Sequence, residues 1–397
     1  MSLTPDLARA RGATAVTFAL VGATSAVWVV RIPALRDKLG LSEAQVGIEV
    51  LAWGLGALIA MQASARLMAT YGSDRILRYA VPASVASLLL LAFAPTFSVL
   101  VAGGLIFGAL FGLVDVAANA QAAHLERACG KPLMGKMHAG WSLGAVVGGL
   151  IGAATASLGL GFSVSVATAS LLALPVALFI MDRFHADPAD DPDAAGGTVE
   201  SRKLPRVIYL LGALMFCAFL AEGSVADWSS LHLHDSLGAS EAVAALGYPV
   251  FELAMLVGRL GCDRVTERWG GRILLAGAGL AAAVGFAVLI TTSRLDVALV
   301  GLALIGAAVC VVVPLTFSLA GLAGGDQRSA AIARAGMFGY SGLLLGPVAI
   351  GFIAEHGSLR MSFTVVVFTC LLITLGAWLL PDLRLPASAS REVASHT

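Results

Sequence analysis

Residues 207–230, VIYLLGALMFCAFLAEGSVADWSS, decide the fold. The stretch is long and apolar enough to cross a bilayer, yet its second half carries Glu222 and Asp227. An isolated carboxylate in hydrocarbon costs about 2.5–3.5 kcal/mol on insertion scales, so it faces a water-filled cavity or a partner and marks a functional site. For Asp227 a second reading is the membrane edge, where the cost is small. Glu222 lies deeper.

Outward from this segment the chain keeps the same character. Hydrophobic residues make up 58% of the 397 and charged residues 13%, against about 25% charged in ordinary soluble domains. Apolar runs recur at about 12–30, 44–65, 76–94, 98–122, 137–158, 160–181, 207–230, 242–262, 272–291, 295–321, 330–354 and 360–381, each of spanning length. The expected fold is an all-α polytopic membrane protein with twelve transmembrane helices. The polar, Pro/Gly/Asp-rich stretch 182–206 divides it into bundles at 1–181 and 207–384, with a tail at 385–397. The N-terminus lacks a small-residue cleavage site, so the first run reads as a retained helix. Five scattered cysteines suggest reduced, packed thiols and no disulfide framework. CxxC, HExxH and nucleotide-loop motifs are absent, so an enzyme, a bound cofactor and a nucleic-acid partner are not expected.

Charge sets the orientation. With both termini cytoplasmic, twenty of the 25 Lys and Arg fall on that side and five on the other: Arg31, Arg36, Lys38, Arg294 and Arg360. That asymmetry places both ends of the chain in the cytoplasm. The halves also repeat. LGLSEAQVG (39–47) follows the first span and LGASEAVAALG (237–247) the seventh, each after a tryptophan, Trp28 or Trp228. Gly140-Trp141-Ser142 and Gly339-Tyr340-Ser341 correspond likewise.

Six plus six spans with parallel repetition resembles the major facilitator superfamily, in which substrate binds near the midplane between the halves. Its signature loop charges look similar in GRLGCDRVTERWGGR (258–272), with Arg259, Asp263, Arg264 and Arg268. The first-half copy, ARLMATYGSDR (65–75), keeps Gly72 and Arg75 but has Ala69 where the family has an acid. The resemblance implies a gating role for these residues. RIPALRDKLGLS (31–42), DVAANAQ (115–121), MHAGWSLGA (137–145), AEGSVADWS (221–229) and GYSGLLLGPVAIGFIAE (339–355) look like the YbjJ-like branch, related to fucose:proton symporters.

That branch implies a secondary transporter working by alternating access, with proton coupling and a small-molecule substrate, acting as a monomer in the bilayer. Asp115 and Asn119 match the symporters' Glu-x-Ala-Ala-Asn pattern, with Asn119 one turn on and on the same face. A bland alternative is an Asp–Asn hydrogen bond stapling two helices. The symporters' first-span acid is Val29 here, and Glu222, with Asp227, is the apparent substitute. His138, Trp141 and Ser142 resemble substrate-binding positions, and Trp228, Glu252 and Tyr340 complete the candidate binding set. Glu252 reads as substrate-selecting or as the partner of a cavity cation. Glu49 reads as interfacial. Arg31 either snorkels or pairs with Asp227 as an outer gate, and Arg334 reads similarly. Trp53, Phe251 and Phe338 line the cavity or pack against lipid. His232 and His234 have HxH spacing without a visible third ligand, too little for a metal site. Deep acids outnumber deep bases, which favours a neutral or cationic solute. The rival functions are a proton antiporter exporting a drug-like or metabolite cation, and a non-transporting membrane sensor or scaffold.

Overall fold

A computed structural model of the chain describes residues 5–129, 133–186 and 204–381. Most of the expected linker and all of the expected tail lie outside the described residues. Among these residues twelve helical segments are long and apolar enough to cross a membrane, and no strand occurs. The first half contains α1 (Pro5–Val29), the short α2 (Ile32–Leu39), α3 (Glu43–Tyr71), α4 (Ser73–Ala92), α5 (Phe97–Cys129), α6 (Met134–Ser157) and α7 (Phe162–Ile180). The second contains α8 (Arg206–Leu231), the short α9 (Glu241–Ala244), α10 (Gly247–Trp269), α11 (Gly271–Thr291), α12 (Leu295–Val309), α13 (Val312–Ala323), α14 (Arg328–His356) and α15 (Leu359–Leu379). The tenth span is thus two helices. Pro314 falls in the first turn of α13, where the missing N–H breaks no helical bond.

The sequence repeat reappears as repeated backbone devices. Gly40 (φ 62°) and Gly238 (φ 70°) each turn the chain into a serine-capped helix start. Ser42 accepts from the Gln45 N–H and Ser240 from the Val243 N–H, so each start gains a partner for an otherwise orphan donor. Gly72 and Gly270, with φ near 80° and ψ 155°, join α3 to α4 and α10 to α11. Side chains rarely adopt that conformation, so glycine is required at both hinges.

Each half packs in the same pattern: α1 along α6 and α3 along α5, matched by α8 along α14 and α10 along α12. Without a hydrophobic driving force between helices in lipid, close backbone approach supplies the attraction. A Cβ on Gly108 or Gly148 would strike the Trp53 or Ala23 carbonyl, and one on Gly342 or Gly306 the Phe216 or Phe251 carbonyl.

The halves meet along α3–α14 and α6–α10. On each seam a glycine faces a proline of the other half: Gly47 against Pro347, Gly149 against Pro249. Both contacts lie toward the end carrying the Gly40 and Gly238 turns, here the closed end. There Arg31 binds Glu241 at 2.6 Å, Arg36 binds Asp235, and the Ala44 N–H donates to Glu355 at 3.1 Å, all across the halves. Buried apolar packing agrees. One cluster joins both halves through Trp28, Val46, Val50, Trp228, Phe251 and Ile350. A second cluster, including Ala10, Leu77, Leu125 and Met137, belongs to the first half alone and lies toward the other end. That other end is the open one: the cluster there draws no residue from the second half.

Gly149→Leu is expected to wedge α6 from α10 and part the closed end. A cysteine replacing Ser230, buried against the Val29 carbonyl, then reacts several-fold faster with an impermeant maleimide than it does beside Gly149. Equal rates would show that the Gly–Pro seam does not hold the end shut.

Candidate functional site between the halves

Helix lengths set the depth of each polar side chain, at about 1.5 Å per residue. Asp115 lies eighteen residues along α5 from its closed-end start, and Glu222 nine residues before the end of α8. Both keep part of their surface exposed. Asn119 donates through Nδ2 to the Asp115 carbonyl at 2.9 Å and to its Oδ1 at 3.3 Å. That bond stays within α5, so it staples no pair of helices. Tyr340 of α14 stacks on Phe219 of α8, centroids 5.1 Å apart, and interacts electrostatically with both Asp115 and Glu222. One acid from each half therefore lies within electrostatic range of a single phenol. On the first-half side Trp141 stands edge-on to Phe111, which packs edge-on against Trp53. His138 is exposed and edge-on to Phe18 at 5.2 Å.

Arg259 departs from expectation. The signature reads as a loop, yet α10 continues to Trp269 because nothing breaks it before Gly270. Arg259 consequently sits within the helix, and its Nη1 reaches Ser142 Oγ of the other half at 3.4 Å. It interacts electrostatically with Glu222, Glu252 and His138. A mid-span cation exists after all. Glu252 is 5% exposed and accepts from the Tyr248 hydroxyl at 2.8 Å. Arg75 and Arg268 are exposed at the open end, as is Arg334. The side chains of Asp263 and Arg264 lie outside the described residues.

The closed end brings three further corrections. Arg31 pairs with Glu241 rather than Asp227, and its Nη2 also donates to the Leu160 carbonyl at 2.6 Å. Burial lowers the Arg31 pKa and the hydrogen bond to Asp235 raises that of Arg36; both guanidiniums remain charged at physiological pH. Trp228 is fully buried, its ring against Gly351, so it packs the seal instead of lining an open wall. Glu49 is not interfacial: it is 1% exposed, its carboxyl against Gly104 of α5 and within electrostatic reach of Asp227. His232 Nε2 contacts the Leu289 carbonyl, and His234 pairs with Asp235. Among the described residues no group of three potential ligands suits a metal and no disulfide forms.

Sequence reasoning misses Tyr248 and discounts Glu49. The available signal is position: each sits on the repeat-matched second or eighth span, within two turns of the closed-end start.

Removing the cation tests this arrangement. With Arg259→Gln, Glu222 and Glu252 lose the counter-charge that this position supplies, and stability at neutral pH is expected to fall by about 1–3 kcal/mol. The folded variant then holds more protons than its unfolded chain, so stability falls as pH rises. The melting-temperature deficit should therefore be larger at about pH 8 than at about pH 5.5. A deficit independent of pH would place Arg259 outside this electrostatic group.

The model of the Major Facilitator Superfamily matches residues 13–323 and 211–396. An uncharacterized MFS-type transporter of Yersinia pestis is 33% identical over 370 residues, covering 92% of this chain and 93% of that one. Among solved structures, the nucleoside transporter NupG superposes with a TM-score of 0.75 at 12% identity, over 93% of this chain and 99% of that one. FucP in the outward conformation gives 0.63 at 16% identity, over 94% and 99%. At such identities the two structures share the fold alone.

Proposed function

The chain belongs to the Major Facilitator Superfamily, membrane transporters of small molecules rather than enzymes, and from that premise we propose a proton-coupled secondary transporter working by alternating access. The observation that carries this reading is that Asp115 and Glu222, one from each half, lie part-exposed within spanning helices, far from the helix ends. Carboxyls in a cavity that gains and loses water change protonation as it does so, which couples a proton to the movement of the halves. The Lys/Arg asymmetry supports a bacterial inner-membrane protein with both termini cytoplasmic. The closed end is then extracytoplasmic, and the conformation described is inward-facing.

The substrate is a small polar or amphipathic solute, neutral or cationic, bound by a monomer. Asp115, Glu222 and Glu252 outnumber Arg259, while Trp53, Phe111 and Trp141 offer an aromatic wall for an apolar face. The same surplus of acid favours, as a second reading, proton antiport of a cation. Asn119, His138, Ser142 and Glu252 are the binding candidates, and Arg31, Gly72, Arg75, Arg259 and Arg268 the candidates for gating.

Thermal-shift measurements against sugars, nucleosides, siderophores and cationic drugs, at about pH 5.5 and about pH 8, test the reading, because a ligand of the folded state raises stability by mass action. A ligand whose stabilisation differs between the two pH values is expected, and Asp115→Asn and Glu222→Gln should each remove the difference. Equal stabilisation at both pH values, with transport of that ligand unchanged in Asp115→Asn, would overturn proton coupling.

A further inference from the structure

Away from the site between the halves, two histidines converge at the open end of the first bundle. His124 stands five residues before the end of α5, and His185 lies five residues past α7, where the chain leaves the bundle. His124 Nε2 is 3.1 Å from His185 Nδ1, with ring centroids 5.2 Å apart and planes inclined by 33°. His185 Nδ1 is also 3.0 Å from the Ala186 carbonyl oxygen. A carbonyl only accepts, so Nδ1 of His185 carries the hydrogen and His124 Nε2 turns a lone pair toward it. Two ring nitrogens and a carbonyl oxygen thus gather around one hydrogen. Both rings are half-buried and within reach of water.

Supporting contacts hold these donors in place. Gln121, one turn before His124 on α5, is fully buried and donates through Nε2 to the His185 carbonyl at 2.8 Å. Its Oε1 accepts from Ser73 Oγ at 2.8 Å, beside the Gly72 hinge at the start of α4. Three segments of the first half therefore fix the backbone from which the His185 ring projects. The nearby carboxylates are engaged elsewhere: Glu126 accepts from the Leu133 and Met134 N–H groups, and Asp182 pairs with Arg78. Ring nitrogens each about 2.0–2.1 Å from a zinc ion stand about 3.3 Å apart at the tetrahedral angle. The 3.1 Å between His124 and His185 is close to that edge, and imidazole suits zinc, copper and nickel.

We propose that His124 and His185 chelate one divalent ion of the zinc class, with the Ala186 carbonyl as a third donor and water completing the shell. On binding, the hydrogen leaves Nδ1 of His185 and the other nitrogen of that ring takes one up. Both rings then ligate as neutral imidazoles, and the protein's charge is unchanged. The two ligands lie 61 residues apart in the chain and both belong to the first half. The ion therefore ties α5 to the segment after α7 without crossing between the halves, and fixes the point at which the chain leaves the first bundle for the second. The site stands independently of proton coupling and of the substrate.

The full-length chain, purified in detergent through a tag free of histidine, is titrated with Zn2+ in competition with a chelating dye. One ion per chain is expected to bind and to raise the melting temperature by mass action. His124→Asn and His185→Asn, which keep a hydrogen-bonding side chain, should each weaken binding by more than about 100-fold and lose the thermal shift. Gln121→Ala, which loosens only the support of His185, should weaken it about ten-fold. His234→Asn, at the closed end, should bind like the unsubstituted chain. Cu2+ in place of Zn2+ gives a second readout that needs no variant: electron spin echo modulation should count two imidazoles in the unsubstituted chain. Absence of Zn2+ binding, binding unchanged in His124→Asn or His185→Asn, or copper held by fewer than two imidazoles overturns the site.

Discussion

A charge enclosed in a membrane protein must be paired, hydrated or neutralised, and the particulars of this fold answer that constraint in three ways. At the closed end charges are paired: the Arg31 guanidinium, 2% exposed, is held by Glu241 and the Leu160 carbonyl. Midway they keep access to water, as the partial exposure of Asp115, Glu222 and Arg259 shows. Just beneath the seal, neither oxygen of the buried Glu49 has a hydrogen-bond partner among the described residues, which leaves protonation as the remaining solution.

The same arrangement explains how one chain supports a tight seal beside a hydrated site. Glycines bring helix backbones into contact within each half, so each bundle is a stiff body. Between the halves the contacts are few and concentrated at one end, where a glycine meets a proline on both seams and ion pairs close the rim. In the proposed alternating access, a rigid body joined at one end rocks more readily than it deforms, and every polar group on the seam would exchange its surroundings at once. Carboxyls placed there would feel that movement as a change of solvent.

Much of this architecture is legible in the amino-acid sequence. Recurrent apolar runs of spanning length mark the helices, because hydrocarbon admits only segments that satisfy their own backbone. The LGLSE and LGASE copies mark the repeat, and the fold gives them a purpose: Gly40 and Gly238 turn the chain, and Ser42 and Ser240 cap α3 and α9. Asp115 and Glu222 stand out because a carboxyl is conspicuous against apolar neighbours. Arg259 does not, since a motif shared with loops draws it to the membrane edge. Glu49 is easily discounted because its distance from a helix start suggests shallow depth, and the packing of α5 against it at Gly104 leaves no mark on the hydropathy of α3.

The amino-acid sequence alone determined the class of this protein, its twelve spans, its two-fold repetition and the presence of acids within the hydrocarbon, because burial costs act residue by residue along the chain. Which end is sealed, that Arg31 meets Glu241, that Arg259 reaches Ser142, and that Glu49 is enclosed were decided only by tertiary structure. Those facts depend on the rotation and height of helices from different halves, which the local periodicity of a single helix does not encode.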